Sequence, residues 1–293
     1  MNARPFPARP APDAGASQPG LPPYAQALGL STHPFPVTPD ETHYFFTAQA
    51  EAVYEEMRHF IEMRKGFMML TGEIGLGKTT LIRRLLASLD GHRFNTALIL
   101  TSFLDQSELL EAIARDLGLS LPAGARRIEH LSALNRFLLG ESEAGKINVL
   151  VIDDAQALDA DALDVVRQLS NLETAEAKLI QVVLIGQSEL VSTLDEHGLR
   201  QVRSRVALHR QLHALDAAQT RAYVQHRLHA SAGASGTSIR LDADAMQTLH
   251  QLTGGNPRSI HHLMDRCLYG LMARDSHLVD PDVVLQAWRD LQV

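Results

Sequence analysis

Apolar residues along this chain alternate between two patterns. Four short segments, 66–71, 96–100, 147–152 and 179–185, are apolar almost without a break. Runs of that length without polar alternation predict strands buried on both faces. Between them, apolar residues recur at helical spacing. Val53, Met57, Phe60 and Ile61 share one face of a helix expected over 47–65, with Arg64 and Lys65 suiting its negative end and Gly66 able to cap it. Leu81, Ile82, Leu85, Leu86 and Leu89 mark a second helix, and Leu109, Leu110, Ile113 and Leu117 a third. Strands alternating with helices predict an α/β fold with a parallel sheet. After Leu212 the texture changes and no further run of the strand type is evident. Asp216 and Asp242 can cap helices, Gly254-Gly255 stops the second, Asn256-Pro257 starts a third and Asp280-Pro281 a last one.

The strand at 66–71 runs into Gly72-Glu73-Ile74-Gly75-Leu76-Gly77-Lys78-Thr79-Thr80, and a helical pattern follows. Strand, glycine-rich turn, Lys-Thr and helix together make a P-loop. Its main-chain N–H groups converge on nucleotide phosphates, Lys78 reaches the β- and γ-phosphates, and the Thr79 hydroxyl can coordinate Mg²⁺. ATP and Mg²⁺ are therefore the expected ligands.

Further residues fit the same chemistry. The run 149–152 ends in Asp153-Asp154, the Walker B arrangement, in which Asp153 holds Mg²⁺ and Asp154 polarises the attacking water. The strand at 179–185 leads to Gln187, an amide at the same sheet edge, placed to orient water or sense the γ-phosphate. Arg258 falls in the first turn of a helix, where the dipole favours anions, so it suits a phosphate approaching that end. Arg200, Arg203, Arg205 and Arg210 form a basic stretch; Arg203 and Arg205 can serve as arginine fingers for a neighbouring subunit, contact nucleic-acid phosphates, or line a solvated face. His261, His262 and Cys267 match no standard zinc spacing.

Composition narrows the setting. The chain has 293 residues, 45% hydrophobic and 21% charged, with net charge −7. That describes a soluble globular protein rather than a nucleic-acid coat. A single cysteine allows no intrachain disulfide, no run is long enough to span a bilayer, and no signal-peptide core is evident, so a cytoplasmic location is expected. Ten of the 13 prolines lie within 1–39. The expected organisation is a disordered Pro-rich tail (1–24), a P-loop α/β domain (25–212) and a small all-helical lid (213–293).

In this order, the motifs resemble those of AAA+ ATPases, and more closely the general secretion pathway protein A (ExeA-like) family, over about 25–290. The resemblance rests on Pro34-Phe35, Thr38-Pro39-Asp40, Arg64-Lys65-Gly66-Phe67 and Val151-Ile152-Asp153-Asp154-Ala155-Gln156. It continues through Ile185-Gly186-Gln187-Ser188-Glu189-Leu190, Tyr223-Val224-Gln225-His226-Arg227-Leu228 and Gly254-Gly255-Asn256-Pro257-Arg258. It implies a sensor-1 role for Gln187, a sensor-2 role for Arg258 and a finger among the arginines at 200–205. It also implies a homo-oligomer, a ring being one such form, serving a secretion, pilus or envelope-export system through a protein partner. DNA is the less favoured partner, and no direct membrane insertion is expected. Two departures stand out: the family usually has Glu where this chain has Asp154, and longer members continue into a membrane helix and a peptidoglycan-binding domain. The chain therefore looks like the short, soluble members, and the shorter carboxylate predicts slow turnover. That leaves two alternatives to an export ATPase: a DNA-associated regulator resembling transposition ATPases and a nucleotide-dependent scaffold.

Overall fold

The computed structural model describes residues 20–36, 44–100, 104–119, 124, 126–196, 199–232 and 236–292. In chain order the elements are α1 (Pro23–Ala27), α2 (Ala48–Glu62), β1 (Phe67–Thr71), α3 (Lys78–Ser88), β2 (Phe94–Ile99), α4 (Gln106–Asp116) and α5 (Arg127–Glu143). Then come β3 (Ile147–Ile152), a 3-10 turn (Ala155–Ala157), α6 (Ala160–Ser170), β4 (Ile180–Gly186), α7 (Glu189–Asp195), α8 (Arg200–Arg203) and β5 (Val206–Gln211). The remainder is α9 (Ala217–Ala230), β6 (Arg240–Leu241), α10 (Ala243–Thr253), α11 (Pro257–Ala273), β7 (Leu278–Val279) and α12 (Pro281–Leu291). By contacts the chain divides in two. One unit takes Ala48–Glu73 and Leu81–Leu212; the other takes the described part of 9–47, Ile74–Thr80 and His213–Val293.

In the first unit the strands run parallel in the order β2-β3-β4-β1-β5. β3 and β4 are buried at every residue, which is why they read as apolar runs broken only by the buried amides Asn148 and Gln181. On one face Phe67, Met69, Ala97, Ile99, Leu150, Ile152, Val182 and Leu184 pack with Leu109, Leu110 and Ile113 of α4, Leu134 and Leu138 of α5, and Leu163, Val166 and Leu169 of α6. Each such side chain contributes about 1.5–3 kcal/mol by leaving water. A buried amide fixes the start of β1: the Gly66 N–H donates to Gln181 Oε1 at 2.7 Å. The strand β5 lay outside the sequence expectation. It pairs only with β1, is largely half-exposed, and ends in His209-Arg210-Gln211, so it lacks the apolar run of an inner strand.

The second unit buries Tyr24, Leu28 and Phe35 with Val224, Leu228, Met246, Leu249, Ile260, Leu263, Met264, Cys267 and Leu268. Its helices α9 to α12 begin on side-chain caps: Asp216 in a capping box with Gln219, then Asp242, Asn256 and Asp280. Gly254 ends α10 in the left-handed region at φ 59°. A two-residue parallel pairing of β6 with β7 adds to the helices. Of the expected disordered tail only residues 20–24 are described, and here the expectation is corrected at its end. Pro23 and Tyr24 belong to α1, and Tyr24 is fully buried, donating from its hydroxyl to Asp265 Oδ1 at 2.6 Å and meeting Tyr269 edge-on. Residues 38–40, quoted in the resemblance, lie outside the described residues.

Candidate active site

Because every strand of the main sheet points the same way, all their carboxyl ends meet one edge. Register sets the neighbours there: Thr71 at the end of β1 lies opposite Gly186 of β4, and Ile152 at the end of β3 lies opposite Leu184. Three adjacent strands therefore deliver Gly72-Glu73, Gln187-Ser188 and Asp153-Asp154 to the same edge. Binding crevices in open parallel sheets form at this edge. Asp153 is buried, its N–H donating to Ile99 O at 2.9 Å and its Oδ1 accepting the Asp154 N–H at 3.0 Å. Asp154 turns the chain sharply, at φ 52° and ψ 38°, and its carboxylate is exposed. Gln156 joins it to β4: its Nε2 donates to Asp154 Oδ1 at 3.3 Å while its Oε1 accepts the Gln187 N–H at 3.1 Å. Ser188 Oγ donates to Glu73 Oε1 at 3.1 Å, linking the end of β4 to the residue after Gly72.

The arginine stretch is spread over α8 (Arg200 and Arg203), the link before β5 (Arg205) and the end of β5 (Arg210). Arg203 Nε lies 3.5 Å from Asp195 Oδ1, and Arg200 and Arg205 are exposed. The Glu173 carboxyl is held below its ordinary value, first by the Lys178 hydrogen bond and with Arg205 as a lesser contributor. Arg210 is bound by both oxygens of Glu56. Beside it, His209 Nε2 shares a 2.8 Å hydrogen bond with Thr71 Oγ1; burial, then Arg203 and Arg210, push the imidazole below its usual range.

In the second unit the loop Ile74–Thr80 carries Gly75 and Gly77 at φ 85° and 86°, angles that favour glycine. α3 starts at Lys78 with no acid in its first turn, and Lys78 is only 8% exposed, which is unusual for a lysine. Two residues ahead of and within α11 seat this loop. Asn256 Nδ2 donates to Ile74 O at 2.7 Å, and the Arg258 N–H, which also caps onto Asn256 Oδ1, lies 3.3 Å from Gly75 O. A Cβ on Gly75 would come within 2.6 Å of Asn256 Oδ1 and 2.8 Å of Arg258 Cβ. Arg258 itself is exposed at the start of α11. On the loop's other side, a Cβ at Gly77 would meet the Tyr44 ring at 4.0 Å.

The loop fits a polyphosphate. Left-handed glycines, a buried lysine and a helix start with no acid in its first turn suit an anionic ligand. The Thr79 hydroxyl here and, within the first unit, the Asp153 carboxylate are each oxygen donors of the kind Mg²⁺ prefers. Sequence reading missed Asn256, Gln156 and Tyr44 as parts of this arrangement. Asn256 was already explained as a helix cap, and the contacts of the others run through space.

This fold, with these loops at its edge, defines a P-loop protein of the AAA+ class. The AAA domain family matches residues 61–194. Over 266 residues, 90% of this chain, the sequence is 36% identical to the General secretion pathway protein A of Aeromonas hydrophila, and it falls with that ExeA-like group of AAA+ proteins. The chain spans about half the length of that relative, 48%. Solved structures share the fold at lower identity. The Cdc6p of Pyrobaculum aerophilum superposes with TM-score 0.65 at 20% identity, covering 86% of this chain and 69% of that one. The ORC1 protein of Aeropyrum pernix in complex with DNA gives 0.62 at 18% identity, covering 87% and 68%. No helix among the described residues is long and apolar enough to cross a membrane.

Proposed function

We propose that this protein binds Mg²⁺-ATP and hydrolyses it, and that the cycle of binding and hydrolysis assembles and powers or regulates a secretion, pilus or envelope-export machine. The observation carrying the chemical half is the convergence of Asp153, Asp154 and Gln187 on one sheet edge, beside the strand that feeds the P-loop. The secretion half is supported by the likeness to General secretion pathway protein A. Residues 72–80 hold the triphosphate, with main-chain N–H groups and Lys78 gathering its charge. Thr79 and Asp153 would hold Mg²⁺, which would supply charge neutralisation at the phosphates. Asp154 orients the attacking water and accepts its proton, while Gln187 reports on the terminal phosphate. Arg258, at the dipole-positive start of α11, pairs with phosphate as the second unit's sensor. Arg205, exposed, and Arg203, lightly tied to Asp195, act as fingers toward a neighbouring copy. A surface ion pair at 3.5 Å costs about 1 kcal/mol or less to break, so Arg203 remains available.

A second reading, a DNA-associated ATPase regulator, is kept in view by the DNA complex among the structures sharing the fold. Steady-state ATP turnover over a range of protein concentrations, with and without duplex DNA and across a salt series, separates the two. Turnover per chain that climbs with protein concentration and ignores DNA supports a self-assembling export ATPase. Stimulation by DNA that fades with salt supports the regulator.

A further inference from the structure

Gln156 stands outside the usual set of P-loop groups, yet it touches two of the elements that matter most. It sits half-buried in the 3-10 turn Ala155–Ala157, directly after Asp154. Its amide oxygen accepts the Gln187 N–H at 3.1 Å, and its amide nitrogen donates to Asp154 Oδ1 at 3.3 Å. The orientation of that amide follows from its partners. A main-chain N–H can only donate, so it must meet the oxygen; an ionised carboxylate can only accept, so it must meet the NH₂. Only a planar group with an acceptor on one side and a donor on the other satisfies both.

The surroundings are shaped for this contact. Gly186, the last residue of β4, leaves the space: a Cβ there would lie 2.9 Å from Gln156 Oε1 and 2.7 Å from Leu190 Cδ2. Asp154 is held at φ 52°, which fixes the direction of its side chain and leaves the carboxylate's rotation as the main freedom. Gln156 removes that freedom through one oxygen. Among the described residues the other oxygen has no hydrogen-bond donor, and it is the one left for water.

We infer that Gln156 is a positioning residue for ATP hydrolysis, locking the Asp154 carboxylate to the end of β4 so that water activation is tied to Gln187. The inference rests on the reading of Asp154 as the water-activating group. It also explains how a carboxylate one methylene short of glutamate is used: its aim is set by a neighbour as well as by its own backbone.

The test is ATP turnover by the full chain. Gln156→Met keeps the length and loses both hydrogen bonds; it should lower kcat about 10–100-fold, with KM for ATP within about twofold and thermal stability close to the parent. Gln156→Glu places two carboxylates face to face. Its kcat should be low at pH 8 and recover toward pH 6, as the new carboxyl takes a proton and donates to Asp154 again; the parent shows no such recovery. In an Asp154→Asn background, Gln156→Met should cause no further loss. Parent-like kcat in Gln156→Met, a change confined to KM, or losses that multiply with Asp154→Asn would overturn the inference. If Asp154→Asn alone turns over at the parent rate, the base assignment itself is wrong. An inactive Asp154→Asn beside a fully active Gln156→Met removes only the role of Gln156.

Discussion

Gly75 and His261 each hold a conformation or protonation state that few substitutions preserve. Gly75 lies at φ 85° with Asn256 and Arg258 packed where a Cβ would be. Gly75→Ala should therefore shift the α11 start off the loop and weaken ATP affinity at least tenfold, measured by equilibrium nucleotide binding. His261 donates from Nδ1 to Pro36 O at 2.8 Å and accepts the Tyr223 hydroxyl at Nε2, 2.6 Å away. Burial holds its pKa down at about 4, against 6.5 ordinarily, with Arg227, His262 and His33 adding to the depression and the Pro36 hydrogen bond opposing it. Above pH 6.5 the ring is neutral folded or unfolded. Below it the unfolded chain takes the proton first, so stability falls as pH drops from 6.5 to 4, by on the order of 3 kcal/mol in all. His33 and His209 are shifted in the same direction, mainly by burial. Thermal unfolding from pH 7.5 to 4.5 should show this decline, and His261→Gln should flatten part of it. An equally steep decline in the variant would contradict the assignment.

At the level of elements, α11 carries two tasks on one residue. Asn256 caps the helix through Oδ1 and holds Ile74 O through Nδ2. Losing the cap alone costs about 1 kcal/mol. Asn256→Ser retains a cap but not the reach to Ile74, so it should nearly preserve stability in urea unfolding while raising the Kd for ATP. Unchanged ATP affinity would leave Asn256 as a cap only. Much of this architecture was legible in the chain. β3 is bounded as the apolar run 147–152 predicts, because burial on both faces leaves only one polar residue inside it, Asn148, whose amide donates to Leu138 O and Leu179 O. The caps Asp216, Asp242, Asn256 and Asp280 begin helices as their chemistry predicts. What was not legible has physical causes. β5 is an edge strand whose outer half is polar, so it carries neither an apolar run nor a clean alternation. α1 hides in Pro-rich sequence because a single residue, Tyr24, does most of its burying. The contacts of Gln156 with Gln187 and of Asn256 with Ile74 span 31 and 182 residues of sequence, beyond the reach of any local pattern.

For the molecule as a whole, the proposed function requires more than one copy of the chain for hydrolysis. Arg205→Ala, without the proposed finger, and Asp154→Asn, without the proposed water-activating carboxylate, should each be nearly inactive alone. Mixed, they should recover a measurable fraction of parent turnover, since some interfaces then pair an intact finger with an intact Asp154. Repeating the mixture with Arg203→Ala shows which arginine serves, and no recovery in either mixture would remove the between-copy model. Whatever the assembly, the proposed chemistry requires that ATP be cleaved at the sheet edge carrying Asp153 and Asp154. Parallel measurement of ATP binding and ATP turnover in the parent and in Asp154→Asn tests it most directly. Asp154→Asn should bind Mg²⁺-ATP like the parent while its turnover falls at least about 100-fold. Turnover that survives the substitution would place the cleavage chemistry on some other group.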